Sequence, residues 1–320
     1  MISKGTIFKA SLLHPRHWVT WLAFGVWRAV TILPFPVLLQ IGTALGLMLH
    51  RFPSRRKTIA YRNIQLCFPD LTEQEHRKML RDNFVSTGIA VMEVGIAWWW
   101  SKKRFAKLLQ FEGLENLAAV KGRGVLLLGV HFTTLEIGTA GISLVTPRDG
   151  MYRAHGNPVY DFVQARGRLH KSGNDDVAYE RRDVRGTMKA LKSGRTLWYG
   201  PDQDYGLVQG IFAPFFGIQA ATVNATARFA EKTGAAVVPF SHIRLPGSQG
   251  YKITVHPALE GFPCGDELAD ATRINAIVEQ FVLLAPEQYL WVHRRFKNRP
   301  EGEPDLYDLP LKKSKRKRSN

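Results

Sequence analysis

Short apolar runs alternate with segments of helical period along most of this chain. After residue 124 the continuous apolar runs are typical of buried strands, and they predict strands over 125–130, 150–153, 195–199, 236–243 and 251–255. The segments between them predict helices over 158–169, 184–192, 221–233 and 267–284. This rhythm predicts an α/β domain with a mixed central sheet flanked by helices.

A long uncharged stretch precedes that domain. Residues 18–49 carry one charge, Arg28, and residues 29–49 carry none, which meets the ~20 residues needed to cross a bilayer core. Pro34 and Pro36 interrupt the stretch, so it predicts either one kinked membrane-spanning helix or a bent hydrophobic hairpin in one leaflet. Basic residues that follow it favour a cytoplasmic position for the rest of the chain. We expect a membrane anchor over 1–50, a catalytic domain over 51–306 and a basic, disordered tail over 307–320.

Two further helices are predicted between the anchor and the sheet, over 71–80 and 83–100. Thr72 and Glu75 have the spacing of a capping box at the start of the first. The second ends in three tryptophans at 98–100, with Lys102 behind them. Tryptophan beside cations suits the headgroup level of a membrane. The alternative is that two of the three tryptophans belong to the core.

Charge narrows the range of partners. The 320 residues carry a net charge of +17, and six of the cations lie in the last nine residues. Such a balance predicts a polyanionic partner, which can be nucleic acid, anionic lipid, a phosphorylated substrate or an acidic carrier protein. The two cysteines, Cys67 and Cys264, form no C-x-x-C pair and have no metal-ligand spacing, so neither disulfides nor a metal site are expected.

Candidate catalytic groups follow the predicted strands. His131 lies at the end of the first strand, and Glu136 falls in the first turns of the helix behind it, where it could accept a hydrogen bond from the imidazole. The alternative is a partly buried histidine with an unrelated glutamate. Arg153 and Asp202 follow two other strands, at the edge of the sheet where α/β proteins place their sites.

Several catalytic and nucleotide-binding motifs are missing. The sequence has no G-x-S-x-G, no GxxxxGK[ST] and no GxGxxG after a strand, and no second histidine lies at metal-ligand spacing from His131. No cofactor is therefore predicted. A histidine paired with a carboxylate, without a protein nucleophile, points to a base that activates a substrate hydroxyl directly.

Taken together, a set of motifs in this order closely resembles the late acyltransferases of lipid A biosynthesis in Gram-negative bacteria, the lauroyl, palmitoleoyl and myristoyl transferases. The motifs are His131-x-x-x-x-Glu136, Tyr152-Arg153 with Asn157-Pro158, Gly167-Arg168, Pro201-Asp202-Gln-Asp204, Gln219-Ala-Ala-Thr222 and the segment from Ala285 to Lys297. The resemblance runs from His14 to about Tyr307. Glu136 stands where the wider glycerolipid acyltransferase group has aspartate. Ala154 and Gly200 depart from the pattern, since close relatives usually have proline and alanine there.

The resemblance implies an enzyme of the inner membrane, with its catalytic domain on the cytoplasmic side. It implies transfer of an acyl chain from acyl carrier protein to a hydroxyl of a hydroxyacyl chain on the Kdo-bearing lipid A precursor. His131, Glu136, Arg168 and Asp202 would be the catalytic residues. The expected substrate-binding residues are Arg153, Asn157, Asp204, Arg294 and Arg295. Anionic membrane lipids are expected as further partners, and nucleic acid, metal and cofactor are not.

Three alternatives remain open on the sequence. The first is a basic, membrane-anchored binding protein without catalysis. The second is a metal hydrolase that uses His131 and Glu136 as ligands. The third keeps the acyl-transfer chemistry but uses another glycerolipid or glycolipid acceptor. Arg294 and Arg295 can equally belong to a solvated face.

Overall fold

A computed structural model of the chain describes residues 7–152, 154–171, 177–180, 183–208 and 210–307. The helices in these residues are α1 (Trp18–Val30), α2 (Phe35–Arg51), α3 (Arg55–Cys67), α4 (Glu73–Trp99), α5 (Lys102–Ala106), α6 (Glu115–Ala119), α7 (Leu135–Ile142), α8 (Pro158–Leu169), α9 (Val184–Lys192), α10 (Ala225–Thr233) and α11 (Glu267–Leu284). The strands are β1 (Leu109–Glu112), β2 (Val125–Leu128), β3 (Arg148–Tyr152), β4 (Ala178–Glu180), β5 (Thr196–Tyr199), β6 (Gly210–Phe215), β7 (Ile218–Val223), β8 (Ala236–Arg244) and β9 (Tyr251–Val255).

Seven of these strands form one sheet in the order β1-β9-β8-β2-β5-β3-β4. Strands β8 and β9 run antiparallel, and every other neighbouring pair is parallel. Helices flank the sheet, so the predicted α/β architecture with a mixed sheet is confirmed. Strand β2 lies near the centre and is buried along its whole length, which explains its unbroken apolar sequence.

The register between β2 and β5 positions the site. Val125 pairs with Thr196 and Leu128 with Tyr199, a constant offset of 71 residues. Because both strands are parallel, their carboxyl ends meet at one edge of the sheet. The chain segments that leave β2 and β5 therefore start side by side.

The 73–99 region departs from the prediction of two helices. It forms a single helix, α4, opened by Thr72 and Glu75 in the predicted capping box. Asn83, where a break was expected, lies inside the helix, and its side-chain amide donates to the carbonyls of Glu287 and Tyr289. Trp98 and Trp100 are buried, so the core interpretation of two of the three tryptophans is confirmed.

The predicted helix over 221–233 begins too early. Residues Ile218–Val223 form β7, which pairs with β6 in an antiparallel hairpin outside the main sheet. The turn between them uses Phe216 and Gly217, both with positive φ. Helix α10 begins only at Ala225, because the hairpin hydrogen bonds occupy the residues before it.

The apolar stretch over 29–49 is not one helix. Helix α1 ends at Val30, and α2 begins at Phe35 with Pro34 as its N-cap and a proline in its first turn. Proline is compatible with a first turn and not with a helix interior, which accounts for the break. Among the residues described, no single helix has the length and apolar composition to cross a bilayer. Helices α2 and α3 meet those criteria only as a pair, across a bend of 94°.

Helix α2 packs on α4 through three glycines. A Cβ on Gly88 would lie 2.2 Å from the carbonyl oxygen of Gly42 and 2.3 Å from the nitrogen of Gly46. The two helix backbones therefore touch, as they do at small-residue crossings in membrane proteins. Helices α1 and α2 and the turn between them expose apolar side chains, among them Trp18, Val19, Leu22, Val26, Ile32 and Met48.

Candidate active site

His131 and Asp202 face each other just beyond the carboxyl ends of β2 and β5. Each lies three residues past the end of its strand, and their separation of 71 residues continues the strand register. Nδ1 of His131 lies 2.6 Å from Oδ1 of Asp202, and the backbone N–H of His131 donates to Oδ2 at 2.9 Å. The histidine is therefore held at two points by one carboxylate.

The expected hydrogen bond from His131 to Glu136 is wrong. Oε2 of Glu136 accepts from Nε1 of Trp98 at 2.9 Å, and Oε1 accepts from Nε of Arg168 at 2.9 Å and from a second guanidinium nitrogen. The cause is the phase of α7, which begins at Leu135 and directs Glu136 towards α4 and α8. Asp202 takes the place that the sequence assigned to Glu136.

Two carboxylates of this site stay ionised. Burial alone would raise the pKa of Asp202, but the charge of His131 and the hydrogen bonds from its ring and backbone lower that pKa overall. Burial likewise opposes ionisation of Glu136, and Arg168, with Trp98, lowers its pKa. Because an ionised carboxylate only accepts hydrogen bonds, Nδ1 of His131 is the donor to Asp202. In the neutral ring, Nε2 is then free of a proton and can act as a base.

One cavity of ≈330 Å³ is lined by His131, Glu136 and Arg168, whereas Asp202 is buried and reaches the cavity only through His131. Apolar side chains share its wall with polar ones. The apolar members are Leu135, Met151, Ala165, Leu169, Val177 and Trp198, and the polar ones include Arg148, Asp161 and Gln164. A cavity with this lining can hold both an apolar chain and an anionic or carbonyl oxygen.

Trp198, which sequence reasoning missed, packs edge-on against the imidazole of His131 with ring centroids 5.3 Å apart. Glycines make room for this contact. A Cβ on Gly200 would lie 2.7 Å from Cε1 of His131, and one on Gly129 would lie 2.3 Å from Nε1 of Trp198. The available signal was Gly200 itself, a departure from the family pattern next to a strand end.

Two expected substrate-binding residues instead organise the backbone. The side-chain oxygen of Asn157 accepts from the N–H groups of Val159 and Tyr160, which makes it the N-cap of α8. Asp204 is buried and accepts from the backbone N–H groups of Gly206 and Asn298. Their hydrogen bonds serve the protein's own loops, and their contact with substrate stays a prediction.

The two arginines of the His-Arg-Arg segment differ from each other. Arg295 is only 3% exposed and donates to the carbonyl of Ala221 and the side chains of Thr222 and Asn275. Its guanidinium is thus engaged inside the protein, and its contact with a polyanion stays a prediction. Arg294 is partly exposed; it stacks on Tyr307 and lies 3.4 Å from Asp305. Arg153 and residues 308–320 lie outside the described residues.

Two further histidines near the site are held neutral. Burial, with the charge of His131, lowers the pKa of His242 to about 3, and Nδ1 of its ring lies 2.9 Å from the hydroxyl of Thr134. Burial, opposed in part by the charge of Asp202, lowers the pKa of His293 to about 4, and its Nε2 accepts from the N–H of Asp204. In the part of the chain that the structure covers, no group of three or more His, Cys, Asp or Glu residues is placed to bind a metal ion.

Comparisons with known proteins agree with the motifs. The family described as bacterial lipid A biosynthesis acyltransferase matches residues 6–298. The chain is 43% identical to the lipid A biosynthesis lauroyltransferase of Escherichia coli K12 and 42% identical to the palmitoleoyltransferase of the same strain. Each alignment covers 94% of this chain and 98% of the relative. A crystal structure of a 1-acyl-sn-glycerophosphate acyltransferase from Thermotoga maritima matches 82% of this chain and 99% of its own, at 15% identity and a TM-score of 0.38. The resemblance read from the motifs is confirmed by the family match and the two close relatives.

Proposed function

The chain belongs to the bacterial lipid A biosynthesis acyltransferases, and we propose that it moves a fatty acyl chain from acyl carrier protein to a hydroxyl of a hydroxyacyl chain on the Kdo-bearing lipid A precursor. The observation that carries this proposal is that His131, held from behind by Asp202, lines the same cavity as the Glu136–Arg168 ion pair. The His131–Asp202 pair supplies a base, and the Glu136–Arg168 pair supplies a fixed cation beside it.

The base acts on the acceptor. Nε2 of His131 removes the proton from the acceptor hydroxyl as its oxygen attacks the thioester carbonyl. Asp202 holds the ring through Nδ1 and, being ionised, stabilises the imidazolium that forms. The tetrahedral intermediate then collapses: the carbon–sulfur bond breaks, and the imidazolium returns its proton to the departing thiolate. No acyl-enzyme is formed in this mechanism, and none of the described lining residues is a serine or a cysteine.

The cation acts on the developing charge. Arg168 uses Nε and one terminal nitrogen to bind Glu136, which fixes the plane of the guanidinium. Its remaining N–H groups are available for the oxyanion that appears when the hydroxyl attacks the carbonyl. Glu136 is thus a positioning residue for Arg168, and the motif glutamate acts on catalysis through that arginine.

The membrane location completes the proposal. The exposed apolar faces of α1 and α2, together with the net charge of +17, support attachment to the anionic face of the inner membrane with the catalytic domain on the cytoplasmic side. The acceptor is itself a membrane lipid, whereas the acyl donor is a soluble acidic protein. An enzyme held at the surface can reach both.

Acyl transfer by the purified full-length protein tests this function. The assay supplies acyl carrier protein loaded with a labelled chain and the lipid A precursor in mixed micelles, with a 1-acyl-glycerophosphate as the competing acceptor. We expect labelled lipid A precursor, and a rate about 10² to 10⁴-fold lower for His131→Ala. His14→Gln, a change at an exposed histidine outside the cavity, is the matched control. Near wild-type transfer by His131→Ala would refute the mechanism, and preference for the glycerophosphate would refute the acceptor.

A further inference from the structure

A second cavity, of ≈620 Å³, lies between the end of α2, the start of α3 and the amino-terminal part of α4. It shares no lining residue with the cavity that contains His131. Five cationic side chains line it: Arg51, Lys57, Arg77, Lys78 and Arg81. We refer to it as the cationic cavity.

The cations of this cavity outnumber the carboxylates around them. Glu73 pairs with Arg77, and Asp82 lies 2.7 Å from Lys78 and 3.7 Å from Arg81. In the described part of the chain, Arg51 and Lys57 have no carboxylate within ion-pair distance. Two positive charges therefore lie at this cavity without a carboxylate partner, although Nζ of Lys57 donates to the carbonyl of His50.

The amino terminus of helix α3 adds to the positive electrostatic potential of the cationic cavity. This terminus, capped by Ser54, opens at the cavity, and the first turn of α3 contains no acidic residue although acids are favoured at that position. The pKa of His50 is lowered by its partial burial and by the charges of Lys57 and Arg81, as expected in a positive field. An anion entering the cavity would meet side-chain charges and a helix amino terminus of the same sign.

Exposed apolar side chains border the cationic cavity. Met48, Leu49 and Phe52, at the end of α2, are 52%, 39% and 61% exposed, and they adjoin Arg51 in the chain. Within the cavity, Leu80 and Tyr61 contribute apolar surface between the charged groups. A ligand that contacts both the cationic side chains and the exposed apolar side chains would have a negatively charged head and an apolar tail.

We propose that the cationic cavity binds the phosphate headgroup of an anionic membrane phospholipid. Its volume is sufficient for a phosphate headgroup, and the exposed apolar side chains beside it favour a lipid over the surface of a soluble protein. The inference rests on the proposed function in one respect, the position of the enzyme at a membrane surface. Occupation of the cavity would fix how the catalytic domain is oriented on the bilayer, because α3 also donates from Arg56 and Asn63 to the segment that contains Trp291 and Val292.

Vesicle binding by the full-length protein tests the proposal. Vesicles of phosphatidylcholine, with and without phosphatidylglycerol, are compared for the wild type and for Arg51→Gln/Lys57→Gln. The control is Lys189→Gln/Lys192→Gln, which removes the same charge from exposed positions on α9. We expect the Kd for anionic vesicles to rise about tenfold or more in the cavity variant and to change less than twofold in the control.

A second measurement identifies the ligand. Native mass spectrometry should find one phosphatidylglycerol retained by the wild type and by the control, and none by the cavity variant. Equal loss of vesicle binding in the two variants would overturn the proposal in favour of unspecific charge attraction. Full displacement of the lipid by millimolar inorganic phosphate would assign the cavity to free phosphate, and loss of binding to acyl carrier protein alone would assign it to the carrier. Absence of acyl transfer by the wild type in micelles would count against the proposed function only, since lipid retention is read independently.

Discussion

Asp202 holds His131 at two atoms, with Oδ1 lying 2.6 Å from the ring Nδ1 and Oδ2 accepting from the backbone N–H at 2.9 Å. The same carboxylate therefore fixes both the tautomer of the imidazole and the path of the chain that carries it. Asp202 is 2% exposed, so water does not compete for these hydrogen bonds.

Replacement of Asp202 by asparagine should remove most of the activity. The amide keeps the size of the carboxylate but can no longer stabilise the imidazolium, and it can stabilise the wrong tautomer. We expect kcat to fall by about 10² to 10⁴-fold, measured with acyl carrier protein as donor. Asp305→Asn, which changes a half-exposed carboxylate paired with Arg294, is the control and should retain the wild-type rate. Wild-type turnover by Asp202→Asn would show that the pair has no catalytic role.

Replacement of Glu136 by glutamine should act through Arg168. Loss of the carboxylate charge loosens the guanidinium, so we expect kcat to fall while the pH dependence of kcat keeps its wild-type shape. A double-mutant cycle with Arg168→Lys should be non-additive, because each change already breaks the same pair. If Glu136→Gln moved the acid limb of the pH profile and Asp202→Asn did not, Glu136 would be the partner of His131 after all.

Stability should fall as the pH drops below about 6.5. In the unfolded chain His242 and His293 bind protons near pH 6.5. In the folded protein burial lowers their pKa values to about 3 and about 4, so both stay neutral. The unfolded state then binds more protons between these limits, and the free energy of unfolding decreases with falling pH. Thermal unfolding from pH 7 to pH 5 should show a falling Tm, with a shallower slope for His293→Gln. An unchanged slope of Tm against pH in that variant would show that His293 does not contribute to the pH dependence of stability.

A methyl group at Gly88 should weaken the packing of α2 on α4. Its Cβ would meet backbone atoms of Gly42 and Gly46 that cannot move independently of their helix. We expect Gly88→Ala to cost about 1–3 kcal/mol of unfolding free energy, as overpacking does. Gly25→Ala in α1 is the matched control, because nothing lies within 4 Å of its Cβ position, and it should be neutral or stabilising. Equal melting temperatures for the two variants would contradict the close contact.

Arg295 should matter for folding and Arg294 should not. Arg295→Met leaves the carbonyl of Ala221 and the side-chain oxygen of Asn275 without their donor, at about 1–3 kcal/mol for each group left unsatisfied, whereas Thr222 still accepts from the amide of Asn275. Arg294→Met removes a partly exposed cation and should change stability by less than about 1 kcal/mol. Chemical denaturation of the two variants measures the difference. A rise in KM for Arg295→Met at wild-type stability would contradict a purely structural role and support the substrate-binding role predicted from the sequence.

The strands of the sheet and the position of His131 could be predicted from the sequence. The carboxylate that contacts His131 could not. The apolar run of β2 and the polar residues after β2 and β5 are local signals, so the strands and the positions of His131 and Asp202 could be predicted. The rotation of α7 about its axis decides whether Glu136 points towards the imidazole of His131. No local sequence pattern specifies this rotation. The register between β2 and β5 would have decided which carboxylate contacts the imidazole, but pairing of strands 71 residues apart is not visible in one sequence.

The sequence also did not show which polar residues of the His293–Arg295 segment are buried. His293, Arg294 and Arg295 read alike as a basic run, yet only Arg295 faces the hairpin of β6 and β7 and α11. Part of that hairpin was predicted to be helix. The buried carbonyl of Ala221, which accepts a hydrogen bond from Arg295, could therefore not be predicted. The break between α1 and α2 was foreseeable, because Pro34 and Pro36 stand in the sequence.

His131 and Asp202 meet only while each keeps its distance from its own strand, because their offset equals that of the β2–β5 register, and this limits where the chain can change length. An inserted or deleted codon within β2 or β5, or in the three residues after either strand, would slide one partner past the other and turn its side chain to the opposite face. Insertions between Ile142 and Arg148, outside the two strands, would leave the pairing intact. We therefore expect active homologues to vary in length in the connecting segments. They should keep the number of residues from β2 to His131, and from β5 to Asp202, unchanged.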